Sequence, residues 1–222
     1  FSMSKAIVLV SGGMDSCVTT SIASKQFSKL ALLHANYGQL TQKRELQAFK
    51  DIQNFYSIKD SLIIDMSQFN IIGGSSLTDS NIPVSKANLN NEKISSSYVP
   101  FRNANILSSA VSWAEVINAK SIFIGAVEED SSGYPDCRRS FFDAFEKAID
   151  KGTKDDTKIK IETPLIHLSK KEIILKGVEL GAPLHLSWSC YKNQEIPCQN
   201  CDSCALRERG FKNAKIKDPI LN

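Results

Sequence analysis

Ala6, Ile7, Val8, Leu9 and Val10 make an unbroken apolar run of strand length, the pattern of a strand buried on both faces of a parallel sheet. Ser11-Gly12-Gly13-Met14-Asp15-Ser16 follows at once, and Val18, Ile22, Ala23 and Phe27 then recur at spacings near three and four, one apolar stripe of a helix. Strand, glycine loop and helix in that order turn backbone N–H groups toward one point, where the helix dipole favours negative charge. The Ser11 and Ser16 hydroxyls can add donors. Asp15 is the unusual member, because a carboxylate beside phosphate is repulsive unless it binds magnesium, orders the loop or meets a substrate donor. The chain therefore starts as an α/β nucleotide-type unit with chemistry at its first turn.

The same alternation continues. Residues 30–35 repeat the buried-strand pattern, Leu46, Phe49, Ile52 and Phe55 or Tyr56 mark a second helix, and Leu62-Ile63-Ile64 a third strand. Residues 70–97 are rich in Ser, Asn and Gly without a sustained period, which suits a long surface loop or lid. Ile106, Leu107, Ala110, Val111, Ala114 and Ile117 form the strongest helical stripe, residues 121–127 a fourth strand, and Phe141, Phe142, Phe145, Ala148 and Ile149 a further helix. Ser169 and Glu172 have capping-box spacing ahead of Ile173, Ile174 and Val178, with Gly181 placed to stop that helix. Lys170 and Lys171 at its start could reach phosphate, but solvated lysines are the more ordinary outcome. The expected fold is a doubly wound parallel sheet with helices on both faces.

Cys190, Cys198, Cys201 and Cys204 crowd together while Cys17 and Cys137 stand far apart, a distribution that favours metal over disulfide staples. Four thiolates close a tetrahedral zinc site with no open position for water, although an iron–sulfur cluster takes the same ligands. Lys192, Arg207 and Arg209 can offset the negative charge of such a site, which would pin the C-terminal segment to the sheet. The expected division is a nucleotide-binding domain over residues 3–184 and a metal-binding segment over 185–222. Cys17, Cys137, His34, His167 and His185 read as packing or surface residues.

With 42% hydrophobic residues and a net charge of +3, the chain can bury a core, and it lacks the basic footprint of a dedicated nucleic-acid binder. No apolar run reaches the roughly 20 residues of a membrane span, and no signal-peptide order opens the chain. A soluble cytoplasmic protein with small-molecule partners, no membrane and no direct nucleic-acid contact is expected. Phe1 and Ser2, ahead of Met3, are set aside as an added remnant.

Neither Gly-x-x-x-x-Gly-Lys-Ser/Thr nor Gly-x-Gly-x-x-Gly occurs. The loop string instead resembles the signature of the PP-loop ATP pyrophosphatases, which implies an adenine nucleotide alpha hydrolase-like sheet and cleavage of ATP between its α and β phosphates. Within that superfamily, Asn36-Tyr37-Gly38-Gln39, Tyr98-Val99-Pro100-Phe101-Arg102-Asn103, Gly133-Tyr134-Pro135-Asp136-Cys137-Arg138, Ser189-Cys190-Tyr191 and the run from Pro197-Cys198 to Asp202-Ser203-Cys204 resemble one branch, the 7-cyano-7-deazaguanine synthases of queuosine biosynthesis. The first three strings each sit beyond a strand end, where open α/β sheets gather ligand groups.

The resemblance implies an ATP-dependent ligase that turns 7-carboxy-7-deazaguanine and ammonia into the nitrile, with ATP as substrate, magnesium, one structural zinc per chain and a homodimer. It implies ATP contacts along Val10, Ser11, Gly12, Gly13, Met14, Asp15, Ser16, Cys17 and Val18, with Ser11, Asp15 and Ser16 catalytic, and zinc on Cys190, Cys198, Cys201 and Cys204. Arg102, Asn103, Asp136 and Arg138 are the candidates for substrate binding, Asp136 as acceptor for a guanine-like N–H edge. PP-loop chemistry favours AMP and pyrophosphate over ADP and phosphate, and with no added stretch to hydrolyse glutamine, free ammonia is the expected nitrogen donor. A PP-loop enzyme that thiolates tRNA and a non-catalytic zinc-ribbon module are the rival readings.

Overall fold

The structure, a computed structural model, describes residues 2–88, 94–128 and 133–221. Five strands, β1 (Ser2–Leu9), β2 (Phe27–Asn36), β3 (Asp60–Asp65), β4 (Ala119–Phe123) and β5 (Lys160–Glu162), form one parallel sheet in the order β3-β2-β1-β4-β5. The register places Ile7 of β1 beside Ala31 of β2 and Ile122 of β4. The chain winds outward one way through β2 and β3 and then crosses back past β1, so the topological switch point lies between β1 and β4. In such sheets the crevice at the strands' carboxyl ends is the natural ligand site.

Because successive side chains of a strand point to opposite faces, the apolar run of β1 feeds two cores. Ile7 and Leu9 pack with Leu107 and Ala110 of α4 (Arg102–Ile117) and with Phe142 and Ile149 of α5 (Arg139–Gly152). Ala6, Val8 and Val10 pack with Cys17 and Ala23 of α1 (Met14–Gln26) and with Phe49 and Ile52 of α2 (Gln42–Phe55). The doubly wound sheet with helices on both faces is therefore observed.

Three differences from the sequence reading have local causes. Phe27 opens β2 instead of closing the first helix, and α1 is buried nearly all round, from Ser16 through Ser21, instead of along one stripe. Thr19 and Thr20 tolerate that burial because their hydroxyls donate to the carbonyls of Asp15 and Ser16, both at 2.8 Å. Within the segment read as a loop, α3 (Gln68–Ile72) is one short helix; residues 89–93 of that segment lie outside the described residues. Ser2, set aside above, pairs with Phe27 at the edge of β1.

Beyond β5, α6 (Lys170–Glu179) begins with the expected capping box. Ser169 Oγ accepts from the Glu172 N–H at 3.3 Å, and Glu172 Oε2 accepts from the Ser169 N–H at 2.8 Å. The cysteine segment follows and leads into α7 (Asp202–Ala214), which packs on α6. Among the described residues no helix is long and apolar enough to cross a membrane.

Candidate active site at the switch point

The loop after β1 is shaped by its glycines. Gly12 adopts φ +95°, and a Cβ there would lie 2.6 Å from the Glu45 carbonyl oxygen, so only glycine lets the turn press against α2. Gly13 then stands at the N-terminus of α1, its N–H donating to Ser11 Oγ at 3.2 Å. Ser16 Oγ donates to the Gly13 carbonyl at 3.0 Å and lies 3.3 Å from Ser11 Oγ. Both hydroxyls thus meet at the mouth of the helix, where a phosphate would find donors and the positive end of the dipole.

Asp15 meets a cation of the chain itself, a partner that the sequence reading did not name. Both of its carboxylate oxygens accept from Lys170 Nζ, at 2.9 and 2.8 Å. Lys170, read above as solvated, is 9% exposed. Its stem crosses α7 at Gly210, where a Cβ would approach Lys170 Cγ to 2.6 Å. Burial of the ammonium thus depends on a glycine 40 positions away in sequence, a relation no local pattern announces.

Around this loop a crevice of about 280 Å³ opens between the ends of β1 and β4, close to the lower end of ordinary ligand pockets. Val10, Ser11, Gly13, Met14, Asp15 and Ser16 line it. Cys17 and Val18 instead point into the core and are fully buried; burial pushes the Cys17 thiol up to about 12.

The far wall is the start of α4. Phe101, at φ 57°, turns the chain so that Arg102 and Asn103 enter the crevice. Asn103 is fixed from below: its N–H donates to Asp136 Oδ2 and its side-chain amide to the Asp136 carbonyl, both at 2.9 Å, with Cys137 Sγ at 3.3 Å. Asp136 is 3% exposed and lies behind this wall; desolvation raises its carboxyl above the ordinary range, against the bond from Asn103. Burial likewise pushes the Cys137 thiol up to about 11, so it is held as a neutral packing group facing the crevice. Arg138 is exposed at the start of α5 and does not line the crevice. Sequence reasoning passed over Tyr37, Tyr134 and Tyr191, which also line it; they stood inside the matched strings, but aromatic residues there gave no signal apart from core packing.

The four cysteines meet as their spacing requires. Their sulfurs all lie within 4.8 Å of one another, and Cys198 and Cys204 are 3.9 Å apart. Sulfurs bound at ~2.3 Å around one tetrahedral ion stand roughly 3.8 Å apart, so the set fits a single zinc-sized ion. The backbone N–H groups of Lys192, Asn193 and Cys198 donate to Cys190 Sγ at 3.3 to 3.4 Å. Hydrogen bonds from Cys201 and Cys204, joined by the backbone N–H groups of Cys198 and Asn193, lower the Cys190 thiol from its usual range. The segment also reaches the phosphate loop: the Trp188 N–H donates to the Gly12 carbonyl at 2.8 Å, and the Trp188 ring carries the Arg44 guanidinium at 4.6 Å.

An open parallel sheet with this loop at its switch point defines a PP-loop member of the adenine nucleotide alpha hydrolase-like class. Solved structures agree on the fold. A 4-thiouridine synthetase in complex with RNA and bound ATP aligns with TM-score 0.53 at 18% identity, over 96% of this chain and 50% of the other. A predicted subunit of tRNA methyltransferase from Methanocaldococcus jannaschii aligns at 0.51 and 12%, over 97% and 90%.

Within that class, the family model described as queuosine biosynthesis protein QueC matches residues 5–215, and the chain belongs to that family. Proteins named 7-cyano-7-deazaguanine synthase from Chloroherpeton thalassium and Chlorobium chlorochromatii are each 59% identical over 97% of this chain, covering 96% and 95% of their own lengths.

Proposed function

We propose that this protein is an ATP-dependent carbon–nitrogen ligase that converts 7-carboxy-7-deazaguanine and ammonia into 7-cyano-7-deazaguanine for queuosine biosynthesis. The observation that carries this reading is the joining of a phosphate loop and a polar, tyrosine-rich wall in one crevice, in a chain similar over nearly its full length to relatives of that name.

A carboxylate is a poor electrophile, so one of its oxygens must first become a leaving group. ATP binds with its phosphates against Ser11, Gly13 and Ser16, and transfer of AMP to the carboxylate expels pyrophosphate. The loop's donors are already oriented toward the position where charge develops, which lowers the barrier without reorganisation. Ammonia displaces AMP to give the amide. A second activation at the same loop turns the amide oxygen into a leaving group, and loss of AMP and protons leaves the nitrile. AMP and pyrophosphate are thus the products of each round.

Asp15, held by Lys170, is the ligand available to magnesium, which shields phosphate charge when bound. Arg102 and Asn103, which line the crevice, are assigned to direct contact with the bicyclic substrate; Asp136, behind them, acts by holding Asn103 in place, and the exposed Arg138 is assigned to the approach of the substrate. The four cysteines hold zinc in a structural role, since four thiolates fill a tetrahedral shell and leave no open position for a catalytic water. The partners are small molecules, with no direct nucleic-acid contact, and the working form is a cytoplasmic homodimer.

Incubation with 7-carboxy-7-deazaguanine, ATP, magnesium and ammonia, followed by mass analysis, should give amide and then nitrile with AMP accumulating; acid left untouched at every ammonia concentration overturns the assignment. Asp136→Asn should weaken the acid far more than ATP. Equal losses for both would remove Asp136 from the substrate site.

A further inference from the structure

Three cationic side chains line the crevice among the described residues: Lys170, Arg207 and Arg102. Two have carboxylate partners. Lys170 sits on Asp15 at 2.8 Å, and the Arg207 guanidinium forks onto Asp218 at 2.6 and 2.9 Å. Arg102 pairs with no carboxylate of the described residues. It donates one hydrogen bond to the Tyr37 hydroxyl at 3.0 Å and stands 5.3 Å over that ring. The nearby Asp136 has turned Oδ2 to the Asn103 N–H.

A half-buried guanidinium with no carboxylate paired to it is costly in the free protein and becomes favourable when an anion binds it directly. Its planar fork is matched to a carboxylate, which it can hold through two parallel bonds. Phosphate is the competing anion, but the phosphate donors, Ser11, Gly13 and Ser16, belong to the α1 side of the crevice, whereas Arg102 opens α4 on the other face of the sheet. Its neighbours there are flat: Tyr134 and Tyr191 lie within electrostatic reach beside Tyr37. Tyr134 is steadied by the Ser97 hydroxyl and by Tyr98, ring centroids 5.2 Å apart. Aromatic faces around a guanidinium suit a planar heterocycle that carries an acidic group.

We propose that Arg102 is the receptor for the carboxylate on the heterocycle, and that this pairing separates the acid substrate from the neutral nitrile product. The inference rests on the ligase reading above. Arg102 holds one carboxylate oxygen and leaves the other free for the α-phosphorus of ATP. Once that group has become an amide and then a nitrile, no anion remains to satisfy the guanidinium, and the product leaves a site that retains only the ring contacts. Arg102 therefore sets specificity at both ends of the reaction.

The test is equilibrium binding of the acid, the nitrile and, separately, ATP to the wild-type protein, Arg102→Gln and Arg102→Lys. The wild type should prefer acid to nitrile by about tenfold or more, the size of a charge-assisted pair. Arg102→Gln should reduce that preference to about one, with nitrile and ATP affinities held within about twofold. Arg102→Lys, which keeps the charge and loses the fork, should fall between them. A preference that survives in Arg102→Gln overturns the proposal, as does a loss of ATP affinity equal to the loss for acid in a folded variant, which would place Arg102 on phosphate. If Arg102→Gln melts early and binds nothing, Arg102→Lys decides: an undiminished acid preference overturns the assignment and a diminished one with ATP intact supports it. Wild-type protein that binds ATP but neither heterocycle refutes the ligase reading itself.

Discussion

Lys170 and Asp15 are a pair in which each explains the other. The carboxylate would repel ATP phosphates if left alone, and the ammonium could not be buried without it. Removing one partner of such a partly buried pair leaves the other uncompensated. Lys170→Met should therefore weaken ATP binding by about tenfold or more and lower stability by about 1–3 kcal/mol, read by calorimetric titration and chemical denaturation. Unchanged ATP affinity would mean that Asp15 is neutralised by something else. Gly12→Ala meets backbone at 2.6 Å in a left-handed turn, a strain of about 1–3 kcal/mol. Urea denaturation should register it even without nucleotide. His34 titrates as a third residue-scale probe. Burial lowers its folded pKa from the ordinary 6.5, partly offset by its bond to the Val10 carbonyl. For a base whose folded value is depressed, the stabilising contribution is full above 6.5 and is lost as pH falls below it. Melting temperature should thus drop on acidification below that value, and His34→Gln should flatten the slope across that window.

At the scale of elements, the most consequential relation joins the segment before α4 to the start of α7. The Ala87 N–H donates to the Asn200 carbonyl, the Asn88 N–H to Asp202 Oδ1 and Ser95 Oγ to Asp202 Oδ2, at 2.9 to 3.0 Å. Asp202 stands beside Cys201 in the sequence and lines the crevice. One carboxylate therefore clips Asn88 and Ser95, on either side of the undescribed residues 89–93, to the start of α7. Asp202→Ala should speed hydrogen exchange at the Asn88 amide and raise KM for the acid more than it changes KM for ATP. Asp202→Asn, which keeps one acceptor for the Asn88 N–H, should recover much of the difference. An Asn88 amide that exchanges at the wild-type rate in Asp202→Ala would show that the clip holds nothing.

At the scale of the whole molecule, the four-cysteine site is coupled to both halves of the crevice. Through Trp188 it touches the loop after β1, and through Tyr191 and Asp202 it supplies part of the crevice lining. Stripping the metal with a strong chelator should lower the melting temperature, because binding energy at such a site is folding energy. It should also cost affinity for the acid and for ATP together. Metal analysis of the untreated protein should give zinc near one per chain without a visible chromophore. A coloured, iron-containing preparation would contradict the zinc assignment.

Whereas the all-round burial of the first helix is set by packing, the first strand, its glycine loop and the start of that helix are determined by local rules, since a buried apolar run and a Gly-Gly turn each act over a few residues. For the same reason the capping box at Ser169 and the cysteine cluster were legible by spacing alone. The three-residue β5 is too short to carry a period, and α7 is hidden by cysteines whose spacing speaks of metal before helix. The burial of Lys170 needs Gly210 on another helix, the turning of Asp136 toward Asn103 needs α4 to begin where it does, and the half-buried Arg102 lacks an ion pair among the described residues because the nearby carboxylate is bonded elsewhere. These are relations between elements distant in the chain, and only their packing in three dimensions could decide them.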